Sequence, residues 1–116
     1  MRHVEAGHQR TVCQWLEANG VLYCHVPNER AQGLQRQILA GLGVKPGVPD
    51  LLIFTPPPSA TGRGVAIEMK APLGRASSQQ LRWINDLEHA GWLARVCRGC
   101  DEAIAWLEFL GYGMQP

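Results

Sequence analysis

A fixed succession of patterns between Asp50 and Cys97 limits what this chain can fold into more than any other feature. The apolar run "DLLIFT" (Asp50 to Thr55) is followed by the loop "PPPSATGRG" and a second run, "VAIEMK" (Val65 to Lys70). An amphipathic stretch from Ser77 to Ala90 then leads to a third run, "WLARVC" (Trp92 to Cys97). Strands joined by a loop of hairpin type pair antiparallel, whereas strands joined by a helix pair parallel. The segment therefore predicts a mixed sheet. Upstream, Val4 to Asn19 predicts a helix ended by Gly20, and "VLYCHV" (Val21 to Val26) a strand stopped by Pro27 and Asn28. Glu29 to Leu42 predicts a weaker helix with Leu34, Ile38 and Leu42 on one stripe, and Asp101 to Leu110 a closing helix. The expected fold class is α/β, a mixed β-sheet flanked by helices, formed by residues 1–116 as one domain. The proline-rich loop is expected to have a mobile tip.

Composition agrees with a packed core. Hydrophobic residues make up 46% of the 116 residues and charged residues 18%, a mixture that builds an interior and argues against disorder. No apolar run is long enough to cross a bilayer and Met1 does not open a signal peptide, so a cytoplasmic protein with no membrane attachment is expected. The net charge of +1 announces no polyanion partner by itself. The cysteines Cys13, Cys24, Cys97 and Cys100 are expected as reduced thiols, some of them buried. "CRGC" (Cys97 to Cys100) has the spacing of half a zinc site or of a redox pair, but no second CxxC or HxxxH accompanies it.

Polar groups stand in apolar places at three points. In "VAIEMK", alternation puts Ala66, Glu68 and Lys70 on one face and Val65, Ile67 and Met69 on the other. A carboxylate and an ammonium thus project side by side, either as a surface pair or as a buried pair that needs a partner or a metal. Asp50 follows Pro49 and alone reads as a turn residue. If its strand pairs antiparallel with Val65–Lys70, Asp50 falls beside Glu68 and Lys70. Two carboxylates at one sheet edge repel unless a cation lies between them, and hard oxygen donors with a backbone carbonyl nearby suit Mg²⁺ or Mn²⁺. On the helices, Val4, Val12, Trp15 and Leu16 define one apolar arc with Glu5 near its middle and Gln9 at its margin. Trp83, Ile84, Leu87 and Ala90 define another that contains Gln80. Gln80 also completes a Ser77-x-x-Gln80 capping box, and Glu5 is also a favourable first-turn acid. His8 and His25 are within reach of the same edge, but read first as packed or capping histidines.

"GVPDLLIF" followed by "GVAIEMKAP" resembles the PD-(D/E)XK nuclease superfamily: Pro49-Asp50, then Glu68-x-Lys70. With "VEAGHQRTVCQWL", "HVPNE", "GVKPGVPDLLIF" and "SSQQLRWINDLEHAGW" as well, the chain is more closely similar to the VRR-NUC (virus-type replication-repair nuclease) family. The resemblance implies a restriction-endonuclease-like core and metal-dependent hydrolysis of phosphodiesters. It implies that Asp50 and Glu68 hold Mg²⁺ or Mn²⁺ with the backbone carbonyl of Met69. It further implies that Lys70 positions or activates the attacking water, that Glu5 and Gln80 complete the catalytic set, and that Glu5 is a further candidate ligand of the metal. Branched or Holliday-junction-like DNA as substrate and a homodimer, as in phage modules of this size, are implied in the same way. Lys70 is one of two lysines in a chain that otherwise uses arginine, and a guanidinium cannot act in proton transfer.

Basic surfaces for DNA are expected from Arg30, Arg36, Arg63, Arg75 and Arg82. Trp92, Trp106, Phe109, Leu110 and Tyr112 serve either core or interface. Two other classes stand beside the nuclease reading: a non-catalytic nucleic-acid-binding module of the same fold, and a zinc or thiol protein built on Cys97 and Cys100. An acidic site has no use in the first, and bound zinc near one equivalent would mark the second.

Overall fold

The computed structural model describes residues 3–27 and 33–113. Arg30, Asn28 and the start of the helix expected from Glu29 lie outside the described residues. The elements run α1 (His3–Ala18), β1 (Tyr23–His25), α2 (Gly33–Gly41), β2 (Leu51–Ile53), β3 (Val65–Lys70), α3 (Ser78–His89), β4 (Leu93–Arg98) and α4 (Cys100–Phe109). β1 and β2 are shorter than the runs of apolar residues that encode them, and single backbone bonds extend the pair at both ends, Val26 N–H to the Asp50 carbonyl and Phe54 N–H to the Leu22 carbonyl. One four-stranded sheet has the order β1-β2-β3-β4. β2 pairs antiparallel with β1 and β3, and β3 pairs parallel with β4, so the mixed sheet follows from the connections as expected.

β3 is central, and its residues Val65 to Met69 are all buried. Val65, Ile67 and Met69 join Cys97 of β4, Val12 and Leu16 of α1, and Ala103 and Leu107 of α4 in one core cluster. This is the alternate-residue face of the strand meeting the apolar stripes of two helices. α3 lies along β3 and β4 and meets the other parity of β3 at Glu68. Leu110 and Tyr112 close the core, while Phe109 is exposed.

Three expectations change. Val4, expected in the apolar arc of α1, is exposed. The stripe on α2 exists but faces solvent: Leu34, Ile38 and Leu42 are 71%, 55% and 76% exposed. The proline-rich loop is anchored rather than free: Pro57 is buried, and the Ser59 N–H donates to the Leu110 carbonyl at 2.8 Å.

Candidate active site

The site forms where β2 begins and β3 ends. The register pairs Leu51 with Ile67 and Ile53 with Val65, so continuing it sets Asp50 opposite Glu68 and Pro49 opposite Met69. Proline has no N–H, and the ladder therefore offers the Met69 carbonyl no donor at that position. The N–H of the same residue is taken by the Asp50 side chain, whose Oδ2 accepts it at 2.8 Å.

The turn that delivers Asp50 is held by α3. Gly47 has φ +84°, and a Cβ there would lie 3.2 Å from the Gln79 backbone, so both conformation and space require glycine. One turn along α3, Trp83 Nε1 donates to the Pro46 carbonyl at 3.0 Å. On the other side, the Asp50 carbonyl accepts the Val26 N–H at 2.7 Å and lies 3.0 Å from His25 Nδ1. The buried Gln9 amide reaches the same ring nitrogen at 2.6 Å.

Asp50 and Glu68 are 3% and 1% exposed. Lys70 Nζ lies 3.6 Å from Glu68 Oε2 and 4.0 Å from Glu5 Oε1. Gln80 Nε2 donates to the same Glu68 Oε2 at 3.3 Å. Gln80 also closes the capping box, its Oε1 accepting the Ser77 N–H at 2.8 Å while its own N–H donates to Ser77 Oγ at 3.1 Å. Capping and site contact are thus two uses of one amide. Burial, and the Asp50 carboxyl beside it, push the Glu68 carboxyl up to about 9, against the opposing pull of Lys70. Two carboxyls buried side by side cannot both ionise cheaply without a cation.

The residues fit a hard divalent cation. Glu68 Oε1 is buried with no hydrogen-bond partner, while Oε2 already has Gln80 and Lys70. No group of three or more His, Cys, Asp or Glu side chains is arranged to hold a metal among the described residues. A cation at this edge would therefore rest on two carboxylates, a backbone carbonyl and water, the mixed shell that Mg²⁺ tolerates. Cys97 is buried in the core, and burial pushes its thiol up to about 12. All four cysteines are free thiols.

Of the expected basic residues, Arg36, Arg75 and Arg82 are exposed, on α2, before α3 and on α3. Arg63 is also exposed but precedes β3, at the strand end opposite Lys70, with its N–H on the Gly91 carbonyl. One neighbour of the site, Arg98, was not singled out by sequence reasoning, and His25 was named only as a packed or capping histidine within reach of it. Arg98 stands beside Lys70 in the β3–β4 register, a pairing fixed only by where β4 ends. His25 lies against the Asp50 carbonyl because β1 pairs with β2. His8 proves to be a capping histidine, its Nδ1 accepting the Cys100 N–H at the start of α4 at 2.9 Å.

A mixed sheet flanked by helices, with Asp50, Glu68 and Lys70 gathered at one edge, has the architecture of the PD-(D/E)XK nucleases. A family model for the VRR-NUC domain matches residues 4–101, and the chain belongs to that family of nuclease domains. A solved structure described as a VRR_NUC domain protein superposes with a TM-score of 0.77, covering 96% of this chain and 90% of that one. Its sequence identity is 24%, so the likeness speaks for the fold. No curated protein matches the chain. Among the described residues no helix is long and apolar enough to cross a membrane.

Proposed function

We propose that this protein is a Mg²⁺- or Mn²⁺-dependent endonuclease that hydrolyses DNA phosphodiester bonds in branched, flapped or Holliday-junction-like structures, acting as a homodimer. The observation that carries the catalytic reading is Glu68, buried against Asp50 with one oxygen unpartnered and Lys70 at 3.6 Å. A divalent cation bound there supplies Lewis acidity and a water of lowered pKa. Asp50 and Glu68 hold it, with the Met69 carbonyl facing the same edge. Lys70 sets a second positive charge where negative charge develops on the phosphoryl oxygens, and orients the attacking water. Glu5 and Gln80 keep the ammonium and the Glu68 carboxylate in place from the N-terminal turns of two helices.

A non-catalytic DNA-binding module explains this site poorly. Burying two carboxyls beside each other destabilises the fold, and binding alone gains nothing from it. The exposed apolar stripe of α2 supports the homodimer, because a second copy can cover it. The test incubates the protein with labelled junction, flap, nicked and continuous duplexes, with Mg²⁺, with Mn²⁺ and with chelator, beside a measurement of mass in solution. Metal-dependent cleavage confined to the interrupted substrates and a dimer mass are expected. Cleavage unaffected by chelator, or equal on all DNAs, overturns the catalytic or the substrate reading, and a monomer mass overturns the dimer.

A further inference from the structure

β3 runs from Lys70 directly into Ala71-Pro72-Leu73-Gly74. The Gly74 N–H donates to the Ala71 carbonyl at 2.8 Å, which closes a four-residue turn with proline at its second position, where a fixed φ suits it. Leu73 stands at the third position, the tip. The turn is braced from outside, because Arg98 Nε donates to the Gly74 carbonyl at 3.0 Å. It is also packed tightly underneath: a Cβ on Gly74 would lie 3.2 Å from Ala71 O and 3.3 Å from Lys70 Cβ. This stiff turn holds a leucine that is 97% exposed, more than any other large apolar residue described.

A single exposed leucine needs no explanation. This one sits on a braced tip three residues beyond Lys70, within about 11 Å of its backbone by chain reach. Arg75 follows the turn and Arg98 is bonded to it at Gly74, both exposed. The Arg98 side chain is tethered at Nε, and its terminal amino groups have no protein partner among the described residues. Exposed cations next to an apolar tip match the phosphates and base faces that lie side by side in a nucleic acid strand.

We propose that Leu73 is an apolar wedge that enters the DNA base stack beside the cleaved phosphodiester, with Arg75 and Arg98 holding the neighbouring phosphates. The inference rests on the nuclease reading of Asp50, Glu68 and Lys70, since that site fixes where the strand passes. Parting a continuous stack costs free energy, and the cost is smallest where the stack is already broken at a nick, flap or branch. Leu73 is thereby a specificity-determining residue that favours interrupted substrates over continuous duplex.

The test uses DNA carrying 2-aminopurine next to a nick, titrated in metal-free buffer with the wild-type chain, Leu73→Ser, Leu73→Met and, as an exposed apolar control at the far end of α4, Phe109→Ser. Binding is followed by anisotropy and unstacking by 2-aminopurine fluorescence. Wild type, Leu73→Met and Phe109→Ser are expected to raise the fluorescence on binding, whereas Leu73→Ser binds without raising it. Arg75→Ala and Arg98→Ala each lower affinity and reduce the salt slope by about 1. With metal present, Leu73→Ser lowers the ratio of nicked to continuous duplex cleavage on the order of tenfold. Fluorescence and ratio unchanged by Leu73→Ser overturn the wedge even if cleavage is normal, as does failure of the wild type to bind or unstack the DNA. Unstacking by a protein that never cleaves overturns the nuclease reading and leaves the wedge standing.

Discussion

The Asp50 carboxylate accepts the backbone N–H of Met69 at 2.8 Å, at the point where Pro49 ends the ladder between β2 and β3. A side chain has replaced a backbone acceptor, so the same carboxylate completes the sheet and faces the site. Its two roles separate by substitution. Asp50→Asn keeps an oxygen for Met69 and is expected to fold with a thermal midpoint close to wild type while losing metal-dependent cleavage. Asp50→Ala leaves a buried N–H unpaired, which costs about 1–3 kcal/mol. Thermal unfolding of both variants beside their cleavage rates checks the separation, and equal destabilisation by both would contradict it.

Glu68 predicts a pH dependence. Its carboxyl is pushed up to about 9 in the folded metal-free chain, above its value of 4.5 in the absence of the fold. Between those values the folded state binds the extra proton, so stability falls as pH rises and this contribution is gone above about 9. Thermal midpoints in chelator should decline from neutral pH to beyond pH 9, and Glu68→Gln should remove that part of the slope. Added Mg²⁺ or Mn²⁺ should release a proton on binding, measurable by calorimetry in buffers of different ionisation enthalpy.

Gln80 joins the helix cap to the site. Gln80→Ala loses the capping box and the contact to Glu68, and is expected to cost about 1 kcal/mol of stability as well as activity. Gln80→Glu retains the box but sets a second carboxylate against Glu68. It should therefore unfold near the wild-type temperature and cleave more slowly. Activity lost by both variants in proportion to stability would reduce Gln80 to a cap.

Gly47 controls the approach of Asp50. Gly47→Ala strains a residue at φ +84° and presses on the Gln79 backbone, so it should destabilise by about 1 kcal/mol or more. Because the strained turn leads straight to Asp50, apparent metal affinity should fall with it. Calorimetric titration of the folded variant with Mn²⁺ checks this, and wild-type affinity would show that the turn does not position the carboxylate.

The gathering of Asp50, Glu68 and Lys70 was legible because it depends on a hairpin. Once Asp50–Thr55 and Val65–Lys70 are read as antiparallel neighbours, Asp50 must lie near Glu68 and Lys70, whatever surrounds them. Gln80 and Glu5 were legible because helical periodicity aims them at the sheet. Arg98 was not, and His25 only as a histidine within reach, since their places depend on where edge strands end and how they register, and local pattern does not encode either. The stripe on α2 shows the same limit: periodicity tells that Leu34, Ile38 and Leu42 align, but not what covers them. Nor does loop composition disclose the bond from Ser59 to Leu110 that ties the proline-rich segment down.

The most direct measurement is the single-turnover rate of flap cleavage by wild type, Lys70→Ala and Glu68→Gln at saturating Mg²⁺ or Mn²⁺, each beside a chelator control. The buried pair of Glu68 and Lys70, 3.6 Å apart, predicts a loss of at least about 10²-fold in each variant, with no cleavage by any of them in chelator. Wild-type rates in either variant, or cleavage that persists without metal, would contradict the assignment of this edge as a metal-dependent nuclease site.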